Sequence, residues 1–284
     1  MEQEVIDRLK EYFQARDDVS MAFLFGSQAK GTAMRESDTD IAVYFKPEGR
    51  HLEWEESGEY PQESKIHDDV ATIAGTPSTD LVVLNRAPSP LAHDILETGI
   101  PLLMRDKGLY WRFLFLVGDA TEDFYSIAQE WMAIRARSQS LSKKDELILG
   151  RLIDFIKVEI SYLKDFAHVD QHTYERDRDT QLRLERWIER IVIAMIDTAT
   201  IIISSEKKKH LPQSYTEIVQ ALGWAMNMPE PKVVLMGKFA ELRNLLAHEY
   251  LDLRYAKIKM FLDNAEQIFG KVIAYANEYI AKNK

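Results

Sequence analysis

Residues 23–45 read FLFGSQAKGTAMRESDTDIAVYF, and the two ends of this stretch decide the fold of the first half of the chain. Residues 21–25 are a short apolar run, and residues 39–45 are rich in β-branched and aromatic side chains, so both are predicted to be β-strands. Gly26 and Ser27 directly follow the first strand. A turn at this point can present backbone N–H groups and a hydroxyl to a phosphate.

Three acidic residues stand where predicted strands begin. Asp38 and Asp40 are two residues apart at the start of the second strand, so their side chains share one face. Asp80 opens a third predicted strand. If that strand lies beside the second, three carboxylates converge, and carboxylate oxygens are the ligands that Mg²⁺ prefers. We therefore expect these aspartates to bind Mg²⁺, and such sites can hold two ions that activate an incoming oxygen and stabilise a leaving group.

The remaining signals in the first half indicate a small mixed α+β domain. Apolar residues at helical spacing predict the helices, and a Pro-, Gly- and Glu-rich composition predicts an insertion. These elements are a helix at 2–15, a surface insertion at 47–63, short helices at 65–74 and 89–98, and a strand at 100–104.

After about residue 107 only helical periodicity remains. Helices are predicted at 108–137 with a break near Gly118, and at 144–167, 180–205, 214–224, 231–249 and 253–281. Long amphipathic helices joined by short polar breaks such as HVDQHTYERDRD are typical of a helical bundle. The prediction is an α+β domain at 1–107, a helical connector at 108–143 and an all-α bundle of four or five helices at 144–284.

Composition and charge restrict the class of protein. The chain has 284 residues, 46% of them hydrophobic, and no cysteine, so we expect a globular protein without disulfides or thiolate metal sites. No apolar run reaches the roughly 18 residues of a membrane span, and the acidic N-terminus is unlike a signal peptide, so we expect a cytoplasmic location. Residues 1–144 contain 16 basic and 25 acidic side chains, which disfavours broad nucleic-acid binding there.

The spacing around the first strands resembles the polymerase-beta-like nucleotidyltransferase superfamily. Its pattern is Gly-Ser, a spacer, Asp-x-Asp and a later acid on a strand, and it is matched by Gly26, Ser27, Asp38, Asp40 and Asp80. The form GSQAKG…SDTDIAV is most similar to the minimal nucleotidyltransferases (MNT). Either half of the pattern alone would also suit an ordinary turn with solvated acids. The resemblance implies ATP as substrate and Mg²⁺ on the three aspartates.

A second group of polar residues lies in the predicted helix 231–249, which contains KFAELRNLLAHE. Arg243, Asn244 and His248 are predicted to lie outside its apolar stripe, which consists of Phe239, Leu242, Leu245 and Leu246. Asn244 and His248 share a face. Arg243 is about 140° from His248, so its side chain bends back or a second copy completes the site. Arg243 can stabilise phosphate charge and His248 can transfer protons, which suits metal-independent RNA cleavage through the 2′-hydroxyl.

The string R-x4-H-x-Y, formed by Arg243, His248 and Tyr250, resembles the motif of the HEPN superfamily, whose members are helical bundles, often dimeric and often ribonucleases. The upstream ERWIERIVIAMIDTATIII and LPQSY segments are similar to HepT-type toxins. The motif is short, and a surface Arg and His in salt bridges would look the same. Its position late in a bundle, behind an MNT-like domain, favours the HEPN interpretation.

MNT and HEPN proteins usually occur as separate partners in prokaryotic toxin–antitoxin modules, and this chain resembles both, fused over nearly its whole length. In those modules the MNT partner transfers AMP from ATP to the motif tyrosine and so silences the ribonuclease. The resemblance therefore implies Tyr250 as AMP acceptor, RNA as the HEPN substrate and a homodimer through the bundle. Fusion would also raise the local concentration of the two parts.

Two other functions are consistent with parts of the sequence. A small-molecule nucleotidyltransferase resembling the aminoglycoside-modifying enzymes also pairs this domain with a helical one, and an acidic insertion could attract a cationic substrate. That insertion carries Glu53, Glu55, Glu56, Glu59 and Glu63. Such an enzyme has no need of R-x4-H-x-Y. A nucleotide-sensing scaffold with vestigial sites is disfavoured by the intact aspartates.

Overall fold

The computed structural model describes residues 3–29, 38–47, 52–54, 58–137, 140–206, 212–248 and 255–283, without the side chain of His248. The chain divides into two compact units, Met1–Thr121 and Glu122–Lys284. The first unit is a small mixed sheet with helices and the second is helical, so the predicted α+β class and helical bundle are confirmed. No helix in the described part of the chain has the length and apolarity that a membrane span requires.

A four-stranded sheet forms the centre of the first unit. Its strands are β1 Val19–Phe25, β2 Thr39–Phe45, β3 Thr79–Val83 and β4 Ile100–Met104. They lie in the order β3-β2-β1-β4, with β1 antiparallel to β2 and β4, and β2 parallel to β3. The central strands β1 and β2 are almost entirely buried. Their continuous apolar sequence follows from this burial on both faces.

Helices cover the two faces of the sheet. They are α1 Gln3–Gln14, the short α2 Gly26–Ala29, α3 Glu63–Ala74, α4 Ser89–Thr98 and the long α5 Lys107–Arg137. One face packs against α1, through Leu9 and Phe13, and against α3. The other face packs against α4 and the first part of α5, where Phe113 is fully buried. The strands are therefore held between two layers of helices.

The prediction that 47–63 is a surface insertion is wrong for residues 52–54. Trp54 is fully buried, and its indole N–H donates to the Ala87 carbonyl at 3.1 Å. The Tyr44 hydroxyl accepts from the Glu53 N–H at 2.8 Å and donates to the Glu53 carbonyl at 2.9 Å. The many glutamates of this segment led to the prediction of an exposed insertion. The burial of one Trp residue nevertheless fixes residues 52–54 to the domain. Glu55 and Glu56 lie outside the described residues.

The second unit is a bundle around one long helix, α9 Arg178–Ser205. It packs against α6 Lys143–Ser161, α10 Tyr215–Ala225, α11 Glu230–His248 and α12 Tyr255–Lys282. Their apolar stripes meet in one core, in which Phe239, Phe261 and Phe269 have ring centroids 4.5–6.2 Å apart. Four of these five helices lie within a few residues of their predicted bounds, and α6 is shorter than predicted.

The predicted break in α5 near Gly118 does not occur, because α5 is continuous. A Cβ on Gly118 would lie 3.4 Å from the His93 ring on α4, an ordinary van der Waals distance, so this contact does not require glycine. Glycine costs a helix about 1 kcal/mol relative to alanine. The buried neighbours Val117 and Ala120 offset this cost by packing in the core.

The helix predicted at 144–167 is also interrupted. Its main part, α6, ends at Ser161, because the Tyr162 N–H bonds to the Glu159 carbonyl at 3.0 Å and tightens the last turn. A separate four-residue helix, α7 Leu163–Phe166, follows. The two segments together cover most of the predicted range.

The polar segment HVDQHTYERDRD is not simply a break. It contains α8 Gln171–Arg176 and the start of α9. Asp170 accepts a hydrogen bond from the Thr173 N–H at 2.8 Å, and Asp177 accepts from the N–H groups at the start of α9. These aspartates are N-cap residues, which satisfy otherwise unpaired helix donors. The acidic residues that looked like a break are helix start signals.

Candidate functional site

Gly26 lies where β1 ends and α2 begins, directly beside Asp40. The register of β1 and β2 places Phe25 opposite Asp40, so the chain passes this carboxylate as it leaves the strand. Gly26 has φ +69°, in the left-handed region that favours glycine. A Cβ at this position would overlap Asp40 Oδ2. Both the backbone conformation and the position of the Asp40 carboxylate therefore require glycine at position 26.

The acids on β2 and β3 are neighbours. Asp40 and Asp80 are register partners on these parallel strands, so the condition behind the three-aspartate prediction is met. Burial raises the pKa of Asp40, and the negative charges of Asp80 and Asp38 raise it further. Charges influence a pKa in this way only at short range. The structure thus brings Asp38, Asp40 and Asp80 to one end of the sheet.

Asp38 has a hydrogen-bond partner of its own. Its exposed carboxylate accepts from the Ser78 hydroxyl. The Thr39 N–H donates to the Ser78 carbonyl at 3.0 Å, which ties the segment before β3 to the start of β2. Among the residues that the structure describes, no three His, Cys, Asp or Glu side chains form a group that could hold a metal ion. The three aspartates are therefore close together without forming a complete ligand set.

The chemistry of these donors nevertheless fits a hard divalent cation. Each is a carboxylate, and oxygen ligands of this type suit Mg²⁺. A cation would offset the mutual repulsion that contributes to the raised pKa of Asp40. Asp38, Asp40 and Asp80 would hold the ion, and Gly26 with Ser27 would face the phosphates. These roles and the number of ions stay predictions.

Arg243 and Asn244 are buried, which corrects their predicted position outside the apolar stripe of α11. They are 9% and 3% exposed. The reason is that α11 packs against α9, α10 and α12, so more than one of its faces is covered. Within the helix, Arg243 Nη1 donates to Asn244 Oδ1 at 3.2 Å. A buried guanidinium needs such partners, because an unpaired buried charge is costly.

Two further elements hold the Arg243 guanidinium. Its Nη2 donates to Asp123 Oδ2, on α5, at 3.1 Å. Its Cζ lies 5.4 Å from the centre of the Tyr215 ring on α10, within cation–π range. The remaining nitrogen, Nε, is buried and has no acceptor in the described part of the chain. The guanidinium is thus oriented by its neighbours, and its hydrogen bonds to Asn244 and Asp123 use two of its five N–H groups.

The other two residues of the R-x4-H-x-Y motif, His248 and Tyr250, lie at and beyond the end of the described part of α11. The helix α11 ends at His248, whose backbone is described and whose side chain is not. Tyr250 lies outside the described residues. The roles of His248 as acid–base and of Tyr250 as AMP acceptor therefore stay predictions.

Sequence reasoning missed the acidic residues around Arg243. Asp197 lies on α9, and its pKa is raised to about 6, mainly by burial. The positive charge of Arg243 lowers this pKa, and the negative charge of Glu130 raises it. The available signal was that Asp197 stands inside the longest apolar run of the sequence. A carboxylate in such a run is unusual, because burying its charge is costly. Asp123 had no local signal, because it approaches Arg243 from a distant part of the sequence. Tyr215 ends the LPQSY segment, which resembles HepT-type toxins but gives no link to Arg243.

Asp197→Asn is expected to stabilise the protein in a pH-dependent way. The folded-state pKa, about 6, exceeds the ordinary 3.8, so the ionised carboxylate opposes folding above pH 6 and the cost disappears as the pH falls toward 4. The full shift corresponds to about 3 kcal/mol. We expect urea denaturation at pH 8 to show a gain of about 1–3 kcal/mol in the free energy of unfolding, and much less at pH 4.5. A gain that is equal at both pH values would contradict this cause.

Comparison with known proteins identifies the two parts of the chain. The family model described as polymerase beta, nucleotidyltransferase matches residues 7–108, and the model described as ribonuclease HepT-like matches residues 156–275. No curated protein matches the sequence.

Two solved structures resemble the chain at 19% identity. A toxin–antitoxin with AMP-PNP aligns over 45% of this chain and 95% of that chain, with TM-score 0.37. A tyrosine-to-alanine mutant of the toxin–antitoxin MntA-HpeT aligns over 47% and 96%, with TM-score 0.36. These likenesses are weak, so the assignment depends on the family models. Residues 7–108 therefore belong to the polymerase-beta nucleotidyltransferase family, and residues 156–275 belong to the HepT-like ribonuclease family.

Proposed function

We propose that the first domain transfers AMP from ATP to Tyr250 and thereby silences a ribonuclease site that contains Arg243 and His248. The observation that carries this proposal is the union, in one chain, of a nucleotidyltransferase domain and a HepT-like ribonuclease domain. The placement of Asp40 against Gly26 and beside Asp80 supports a working transferase site. The protein would be a single-chain relative of toxin–antitoxin modules.

The transfer reaction needs a nucleophile, a bound nucleotide and a leaving pyrophosphate. The Tyr250 oxygen attacks the α-phosphorus of ATP, a P–O bond to tyrosine forms, the bond to the β-phosphate oxygen breaks, and the phenolic proton passes to an aspartate. A tyrosine hydroxyl titrates near pH 10 and needs activation. Mg²⁺ on Asp38, Asp40 and Asp80 would supply Lewis-acid stabilisation of the phosphate oxygens. Gly26 and Ser27 orient the triphosphate through backbone N–H groups and a hydroxyl.

The position of the label after reaction with ATP tests the reaction class. In the presence of Mg²⁺, ATP labelled at the α-phosphate is expected to label the protein, whereas ATP labelled at the γ-phosphate leaves it unlabelled. Label from the γ-phosphate would indicate a kinase. If neither label is incorporated into the protein and its expression makes cells resistant to aminoglycosides, the small-molecule transferase is favoured.

The ribonuclease chemistry proposed for the second domain requires no metal. The 2′-hydroxyl attacks the adjacent phosphorus, the bond to the 5′-oxygen breaks, and a 2′,3′-cyclic phosphate forms. His248 would take the 2′-hydroxyl proton or supply one to the 5′-oxygen, and water would accept or supply the other proton. Arg243 would stabilise the negative charge on the phosphoryl oxygens. An adenylate on Tyr250, two residues from His248, would block RNA from this site. A homodimer through the bundle stays a prediction.

A further inference from the structure

A segment outside both family matches contacts the candidate ribonuclease arginine. Asp123 and Phe124 belong to α5, between the matched ranges 7–108 and 156–275. Asp123 bonds to Arg243, which stands 120 positions later in the chain. The sequence predicted this part of α5 to be a connector. Its contacts within the second unit assign it a different role.

Two consecutive residues of α5 build the surroundings of Arg243. Asp123 Oδ2 accepts from Nη2 at 3.1 Å, at one edge of the guanidinium. Phe124 meets the Tyr215 ring edge-on, with centroids 5.9 Å apart and planes at 71°. The Tyr215 ring in turn faces the guanidinium at 5.4 Å. Phe124 and Tyr215 are both buried, so the ring under Arg243 is fixed by packing.

The hydrogen bonds of Arg243 within the protein leave some of its five N–H groups for a ligand. Nη2 is bonded to Asp123 and Nη1 to Asn244, whereas Nε–H is buried with no acceptor in the described residues. A buried donor without an acceptor is costly, so the other contacts of the guanidinium must hold it in this orientation. A phosphate oxygen is a strong acceptor for a guanidinium N–H. The remaining Nη N–H groups of the oriented guanidinium are therefore suited to the scissile phosphodiester.

We propose that Asp123 and Tyr215 are positioning residues for Arg243 in RNA cleavage. Asp123 fixes the rotation of the guanidinium, Tyr215 supports its plane, and the remaining Nη N–H groups are kept for a phosphate oxygen of the RNA. This proposal rests on the ribonuclease function proposed above. It means that the ribonuclease site includes α5 and is incomplete in residues 156–275 alone.

Kinetics on the full chain test the positioning role. The parent protein carries Asp40→Asn, so that AMP transfer does not mask cleavage. Asp123→Asn is expected to lower kcat for RNA cleavage by about 10- to 100-fold, with KM within about threefold, because a guanidinium displaced by about 1 Å stabilises the transition state poorly. Asp123→Glu restores most of the activity. Asp119→Asn, an exposed aspartate one turn earlier on α5, is the matched control and retains the parental kcat.

A spectroscopic measurement separates this proposal from the ribonuclease proposal. The Nε–H signal of Arg243 in ¹H–¹⁵N spectra is assigned by its loss in Arg243→Lys. Asp123→Asn is expected to shift this signal and speed its hydrogen exchange, and Asp119→Asn leaves it unchanged. If the parent cleaves no RNA, the ribonuclease function fails and this signal still reports the contact. An unaltered signal, or an unaltered kcat in an active parent, overturns the positioning role.

A second pair of variants covers the case in which Asp123→Asn does not fold. Tyr215→Phe retains the ring under the guanidinium, and Tyr215→Leu removes it. The proposal expects kcat near the parental value for Tyr215→Phe and a loss of about tenfold for Tyr215→Leu, because a cation–π contact of a desolvated arginine contributes about 1–2 kcal/mol. Equal rates in the two variants contradict the role of the ring.

Discussion

Asp40→Asn is expected to reduce nucleotidyl transfer by at least about 10³-fold, equivalent to about 4 kcal/mol of activation free energy. The substitution keeps the shape of the side chain and removes one of the charges that a divalent cation needs. Asp40 has the central position, because it is the register partner of Asp80 and lies against Gly26. The fold should persist, since the half-buried carboxylate has a raised pKa and its charge is not needed for folding. The measurement is incorporation of α-phosphate label from ATP.

Two further variants sharpen this test. Asp119→Asn makes the same chemical change at an exposed position of the same unit and should leave transfer unchanged. Gly26→Ala leaves every charge in place, yet its Cβ overlaps the Asp40 carboxylate and its backbone conformation is strained. We expect Gly26→Ala to lose transfer to a similar degree. A rate of nucleotidyl transfer in Asp40→Asn within tenfold of the wild-type rate would show that Asp40 is not a catalytic or metal-binding residue.

His248→Gln and Arg243→Lys are each expected to lower RNA cleavage by at least about 10²-fold in the Asp40→Asn parent. Glutamine fills a similar volume and cannot exchange protons near neutral pH. Lysine keeps the positive charge of Arg243 and loses the planar fork, so it cannot serve Asp123, Asn244 and a phosphate at once. Alanine at position 243 is a poorer probe, because it would also leave the half-buried Asp197 without the positive charge that lowers its pKa. The measurement is the initial rate of cleavage of a labelled RNA.

Arg186→Lys is the matched control for the arginine variant. Arg186 is exposed on α9 and pairs with Glu189 one turn away, so its replacement should leave cleavage and stability unchanged. A thermal unfolding curve like that of the parent excludes a folding defect. Cleavage within about threefold of the parent in His248→Gln would contradict acid–base catalysis by this histidine.

The arrangement of the candidate nucleotidyltransferase residues could be predicted from sequence because its signals are local. Gly26 and Ser27 follow an apolar strand, and Asp40 and Asp80 each stand near the start of a β-branched run, so strand pairing alone brings them together. What the sequence could not show is that Gly26 must lack a Cβ because Asp40 occupies that space. This contact depends on the register between β1 and β2.

The surroundings of Arg243 could not be predicted because they are tertiary. The motif spacing locates Arg243 and His248, and it carries no information about which helix faces them. Burial of Arg243 depends on the packing of α10 against α11, and its partner Asp123 comes from a helix outside the bundle that sequence periodicity outlined. The prediction that Trp54 lies in a surface insertion failed for a related reason, since the burial of one aromatic side chain outweighs the polar residues around it.

The most direct test of the proposed function is the intact mass of the protein after incubation with ATP and Mg²⁺. We predict that the wild-type chain gains mass in whole AMP units and that neither Tyr250→Phe nor Asp40→Asn gains any. Tyr250→Phe removes only the acceptor oxygen, whereas Asp40→Asn removes a carboxylate of the transferase site, so the two variants report the acceptor and the catalyst separately. A wild-type chain that gains no AMP, or a Tyr250→Phe chain that gains as much as wild type, would contradict AMP transfer to Tyr250.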